Sequence, residues 1–124
     1  MKPELDKLLC ERYPKLFANR HARVHESLMC FGFECGDGWF DLIDVLCSTI
    51  QSYLDSNPSK QQVVVVQVKE KFGTLRFYTE GHDKFVQGMI WMAESMSGRI
   101  CEVCGNPGEV RDGGWIKTRC EDHV

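Results

Sequence analysis

The amino-acid sequence predicts an α+β fold: a hairpin or small antiparallel sheet packed with helices over residues 1–99, and a short C-terminal ribbon over residues 100–124 packed on it. Three observations carry this expectation. Apolar residues from Trp39 to Leu54 recur at helical spacing. A valine-rich run from Gln62 to Lys69 is followed within a few residues by a second apolar run. The last 24 residues hold two pairs of metal-ligand residues at matching spacing.

Taken in order, Leu5, Leu8 and Leu9 repeat at helical spacing before Pro14 and predict a first helix. The stretch from Lys15 to about Met29 reads as a second, with Leu16, Phe17, Val24 and Leu28 inward. Gly32, Gly36 and Gly38 break the pattern, and Asp37 stands where an N-cap would open the next helix. In that helix Trp39, Leu42, Ile43, Leu46, Ile50, Tyr53 and Leu54 form the apolar face, while Asp41, Asp44, Ser48, Gln51 and Asp55 form the polar one. Asn57-Pro58-Ser59 ends it.

Gln62 to Lys69 contains five valines. β-Branched side chains lose rotamer freedom in a helix, so this run is a strand, placed centrally. Glu70-Lys71-Phe72-Gly73 links it to Thr74–Thr79, a hairpin signal. Strand alternation puts Leu75 and Phe77 on one face, Arg76 and Tyr78 on the other. Asp83 then caps a helix whose buried stripe is Phe85, Val86, Met89, Ile90, Met92, Ala93 and Met96, and Gly98 ends it.

Cys101-Glu-Val-Cys104-Gly105 is followed, after fifteen residues counted from Cys104, by Cys120-Glu-Asp-His123. Two ligand pairs at this spacing match a tetrahedral Cys3His site for one structural zinc ion. Ligands two residues apart wrap a tight knuckle around one ion, and Gly105 lets backbone amides turn toward the thiolates. The residues between the pairs supply two short strands around Asp112-Gly113-Gly114. With four protein ligands the ion has no open position, so its role is structural and an enzyme is not expected.

His21 and His25 lie four residues apart, and Cys30 and Cys35 follow. A second metal site from these four is weighed against surface histidines and core cysteines, and the latter is the better account, because free Cys is among the most buried residue types. Cys10 and Cys47 are read the same way. The segment from Lys69 to Tyr78 is the richest binding candidate: Lys69, Lys71 and Arg76 can meet a phosphate or carboxylate, and Phe72 or Tyr78 offers a stacking face.

Composition narrows the function. The 124-residue chain is 43% hydrophobic and 27% charged, as globular domains are, with a formal net charge of −3. That sign argues against a nonspecific nucleic-acid binder. Glu34, Asp37, Asp41, Asp44 and Asp55 form an acidic stretch free of Lys and Arg, read as a solvated face. Seven cysteines behind a charged start with no apolar leader point to reduced thiols and a cytoplasmic location.

In combination, Gly36-Asp-Gly-Trp-Phe-Asp-Leu-Ile43, Lys69-Glu-Lys-Phe-Gly-Thr-Leu-Arg-Phe-Tyr78 and the Cys3His ribbon resemble a group of small phage and prophage proteins without assigned activity, over roughly residues 28–124. The resemblance implies an accessory protein of a mobile element in a bacterial host cell. Small proteins of that kind act by binding, including against host defence systems. The expectation is therefore a zinc-binding protein that binds a protein partner stoichiometrically as a counter-defence inhibitor. The alternative is a nucleic-acid or nucleotide binder using Lys69, Lys71, Arg76, Arg111, Lys117 and Arg119.

Overall fold

The computed structural model describes residues 1–124. Helix α1 (Pro3–Arg12) begins at a proline, whose missing N–H is no loss in a first helical turn, and buries Leu9. The second helix expected from Lys15 does not form. Residues 14–26 run as successive turns, and only a single 3₁₀ turn, Leu28–Phe31, follows, capped by the Ser27 hydroxyl. Leu16 and Phe17 are buried, but Val24 and Leu28 are 58% and 46% exposed. One cause is visible in the backbone: the carbonyl of Leu16 accepts from Val65 N at 2.8 Å and is committed to the sheet. The loop is tied back by Arg20, which forks onto Asp6 of α1 at 2.8–3.2 Å and donates to the Cys30 carbonyl.

A short strand β1 (Phe33–Glu34) leads to a 3₁₀ turn, Asp37–Trp39, and helix α2 (Phe40–Asp55). Ile43, Leu46, Cys47, Ile50 and Leu54 are its buried face, as the periodicity predicts. Asp37 does not cap it; its carboxylate accepts from Lys2 N at 2.8 Å. The amides at this entrance are served from the C-terminal segment. Gly36 N donates to the Glu102 carboxylate at 2.9 Å and Gly38 N to the Glu102 carbonyl at 2.8 Å.

Strands β2 (Val64–Lys71) and β3 (Thr74–Glu80) form the expected hairpin with β2 in the centre of the sheet. The link is tighter than the sequence implied. Glu70 and Lys71 pair within the ladder, leaving Phe72 and Gly73 as a two-residue turn with φ of +53° and +86°. The sheet is also mixed, because β1 joins β2 in parallel through Phe33↔Val68 and Glu34↔Lys69. Leu75 and Phe77 face inward with Val65 and Val68, and Arg76 and Tyr78 face outward.

Helix α3 (Lys84–Ser97) starts where Asp83 accepts from Val86 N at 3.0 Å. Its buried stripe is narrower than predicted: Val86, Ile90, Ala93 and Ser97 are buried, whereas Phe85, Met92 and Met96 are exposed. The helix rests on β3 with one side only. Glu94 and Ser97 accept from Phe77 N and Leu75 N on the open edge of that strand, at 2.9 and 2.8 Å. This covers an edge that would otherwise offer unpaired amides to another chain. Met92 and Met96 are left to line an apolar groove with Leu42 and Val45 of α2. The core is one cluster of 20 buried residues from Leu9 to Ala93.

Strands β4 (Glu109–Arg111) and β5 (Lys117–Arg119) pair antiparallel as the C-terminal ribbon.

Candidate metal centre

The ribbon folds around two short backbone devices. In the first, Cys101 to Gly105 make a knuckle in which Gly105, at φ +81°, donates its N–H to the Cys101 carbonyl at 2.9 Å. A side chain is strained in that conformation, which is why glycine stands there. Cys101 N is held by Asn106 O and Gly108 N by Arg99 O, at 2.8 and 2.9 Å. In the second, Glu121–His123 form one 3₁₀ turn that brings His123 back over Cys120.

These devices bring Cys101, Cys104, Cys120 and His123 together, with their ligand atoms all within 4.8 Å of one another. Cys104 Sγ lies 3.6 Å from Cys120 Sγ, and His123 Nδ1 lies 3.2 Å from Cys120 Sγ and 3.8 Å from Cys101 Sγ. A tetrahedron with metal–sulfur bonds of about 2.3 Å has sulfur–sulfur edges of about 3.8 Å. The observed spacings are of that order, so these four side chains can hold one metal ion, with His123 presenting Nδ1.

Cys101 and Cys120 are buried, His123 is half-buried and Cys104 is exposed. Burial pushes the Cys101 thiol up. The N–H groups of Cys104, Cys120 and Val103 and the Cys120 thiol outweigh it and bring Cys101 down to about 6. Elsewhere the balance is opposite. Burial raises Cys35 to about 12, raises Cys10 to about 11 with help from Asp6, and holds Cys47 well above the usual thiol range. Such thiols stay protonated and are poor ligands and nucleophiles.

A supporting layer surrounds the four ligands. Glu102, inside the knuckle, pairs with Arg119 at 3.1 Å with both side chains mostly buried, while also serving Gly36 and Gly38. Thr118, fully buried, donates its hydroxyl to the Gly73 carbonyl at 2.5 Å, and its own carbonyl accepts from Glu102 N at 3.1 Å. Trp39 Nε1 donates to Ile100 O at 2.9 Å. Sequence reasoning did not single out Glu102, Thr118 or the Trp39 indole for this role. Their partners lie tens of residues away, and no local spacing reveals them.

The other candidates stand apart. His21 and His25 are exposed, His25 beside Glu26, while Cys30 is half-buried and Cys35 buried. They are not gathered into a cluster; the Cys3His group is the one place where three or more such side chains converge. On the hairpin, the register sets Lys69 directly across from Arg76, with Lys71 two residues along the same strand and Tyr78 across from Gln67. None of the three cations has a carboxylate within 4.0 Å. Arg76 donates instead to Thr74 Oγ1 at 2.6 Å and Leu75 O at 3.3 Å. Of the ribbon's cations, Arg111 and Arg119 are engaged with Glu109, Glu121 and Glu102.

No helix is long and apolar enough to cross a membrane. No family model matches the chain, and no curated protein or solved structure is significantly similar to it.

Proposed function

We propose that this chain is a non-catalytic zinc-binding protein that acts by binding a protein partner stoichiometrically, in the phage counter-defence setting its motifs imply. Three sulfurs and one imidazole nitrogen within 4.8 Å of one another suit the tetrahedral coordination of zinc, and four protein donors leave no position for a reacting water. When bound, the ion would act as a staple. Cys101, Cys104, Cys120 and His123 would hold it, and Glu102, Thr118 and Trp39 fasten the stapled ribbon to the sheet and to the start of α2.

The observation that carries the binding role is Lys69 opposite Arg76. Like charges directly across a sheet destabilise it, and here no internal carboxylate relieves them. An acidic group on a partner does. Partner capture from phage-infected bacterial lysate after nuclease treatment tests this. The expected result is a protein captured at one-to-one stoichiometry despite the nuclease, with one zinc per chain. Capture abolished by nuclease would instead support the nucleic-acid alternative.

A further inference from the structure

Two loop tips distant in sequence meet. The hairpin turn Phe72-Gly73 lies against the ribbon: a Cβ on Gly73 would touch Ile116 and Lys117, and Thr118 holds the Gly73 carbonyl. Between the tips is a cleft of about 310 Å³ lined by Glu70, Lys71, Phe72, Gly114, Trp115 and Ile116. Its two aromatic walls are left open to solvent, Phe72 at 66% and Trp115 at 77% exposure.

Phe72 is the chain's one non-glycine residue at positive φ. A two-residue turn of this kind favours Asn followed by Gly, since both positions need left-handed backbone, and a bulky side chain at the first is unfavourable. Neither folding nor the turn accounts for an exposed phenylalanine there. Trp115 is equally unsupported: it follows Gly113 and Gly114, at neither of which would an added Cβ meet any atom. Two exposed rings thus face one cleft, and the unpaired Lys69, Lys71 and Arg76 begin at its edge, with Lys71 Nζ 5.7 Å from the Phe72 ring centre.

We infer that this cleft is the anchor site for an acidic segment of a protein partner, taking one aromatic side chain between Phe72 and Trp115 while flanking carboxylates meet Lys69, Lys71 and Arg76. The inference deepens the partner-binding role above and rests on it. The cleft volume sits at the low end of small-ligand pockets, roughly 300–1,000 Å³, which suits a single ring. Charge selects peptide over nucleic acid. Glu70 lines the cleft, and Glu26 and Glu80 border the groove beyond Lys69 and Tyr78. These carboxylates leave isolated positive positions that suit spaced side-chain acids and repel a continuous phosphate chain. The ribbon supplies one wall, so the proposed staple also shapes the site.

The test uses the full zinc-loaded chain and three fluorescent probes: an acidic peptide with a central tyrosine (Glu-Glu-Asp-Tyr-Glu-Glu-Asp), the same peptide with serine for tyrosine, and an oligothymidylate of matched charge. The tyrosine peptide is expected to bind best, and to lose roughly tenfold or more in affinity on change to serine or on Trp115→Ala. Phe72→Asn is the second variant. It should weaken binding to a similar degree while holding or raising thermal stability, because asparagine suits the turn. Equal binding of the two peptides, tighter binding of the oligothymidylate, or full binding by both variants would overturn the assignment. Lysate capture separates this from the broader role. A partner captured equally by wild type and Trp115→Ala sinks the cleft but not partner binding, whereas no captured partner sinks the role while the peptide arms still judge the cleft.

Discussion

Trp39 Nε1 donates to the carbonyl oxygen of Ile100 at 2.9 Å, joining the entrance of α2 to the residue before Cys101, the first of the four candidate metal ligands. The indole is fully buried, and the hydrogen bond it makes is partly so. Trp39→Phe keeps most of the apolar contact and removes the donor. Loss of this hydrogen bond should lower stability by about 0.5–1.5 kcal/mol, read by urea denaturation. An unchanged midpoint would mean that the carbonyl finds another donor.

Gly38 is the second test of the same joint. A Cβ built there would overlap the Cys101 carbonyl oxygen, with Gly105 N close behind it, and all of these atoms are backbone that cannot swing away. Gly38→Ala should therefore cost about 1–3 kcal/mol in thermal or urea unfolding. The cost should vanish if the knuckle does not dock here in solution.

These contacts show where sequence reading stops. The amphipathic α2, the valine strand, the hairpin and the four Cys and His side chains that converge in the ribbon were all legible, since each is written in local periodicity or spacing. Gly36 and Gly38 were legible only as interruptions. Their reason, the close passage of the Glu102 backbone, depends on a partner more than sixty residues away. The helix expected over Lys15–Met29 failed for a similar reason: Leu16 and Phe17 did go inside, but the Leu16 carbonyl was claimed by β2. Asp37 was a sound local cap candidate, but its carboxylate accepts from the distant Lys2 N instead. The parallel pairing of β1 had no signal at all, because a two-residue strand has no measurable alternation.

Metal removal tests the division at residues 99 and 100. The 20-residue core contains no residue beyond Ala93, whereas the ribbon buries few side chains of its own. In isolated zinc-finger peptides a structural zinc contributes roughly 10–16 kcal/mol, far more than this ribbon's packing can replace. Cys104→Ser should bind well under one equivalent of zinc and leave amides of residues 101–123 exchanging rapidly. Amides of α2, β2 and β3 should stay protected, though less than in wild type, since the Trp39 and Glu102 contacts go with the ribbon. Loss of all protection in one step would contradict two separable units.

Asp83 gives a pH dependence with a defined sign. Its carboxylate accepts from the Tyr53 hydroxyl, from Val86 N and from Lys60, in that order of effect, and its pKa is lowered below the usual carboxylate value. A group whose folded pKa is depressed adds stability above its unfolded pKa, about 3.9 for Asp, and loses it as pH falls through the folded value. Asp83→Asn removes the charge and retains a capping oxygen. The gap in Tm between wild type and this variant should be constant near neutral pH and shrink below about pH 4. A gap that grows on acidification would exclude Asp83 as its source.

Arg76 separates recognition from folding. It stands across from Lys69 on the outer face of the sheet, without a carboxylate partner, and its hydrogen bonds go to Thr74 and Leu75 within its own strand. Truncating it removes a like-charge cross-strand neighbour, so Arg76→Ala should leave Tm unchanged or slightly raised and zinc content intact. Partner binding should fall by about 2 kcal/mol or more, the cost of losing a desolvated charge-assisted contact. Lys69→Ala should behave alike, and the double variant should lose less than the sum if both cations meet one acidic group. Normal binding by Arg76→Ala beside loss in Trp115→Ala would move recognition to the ribbon tip, leaving Lys69 and Arg76 as solvated charge.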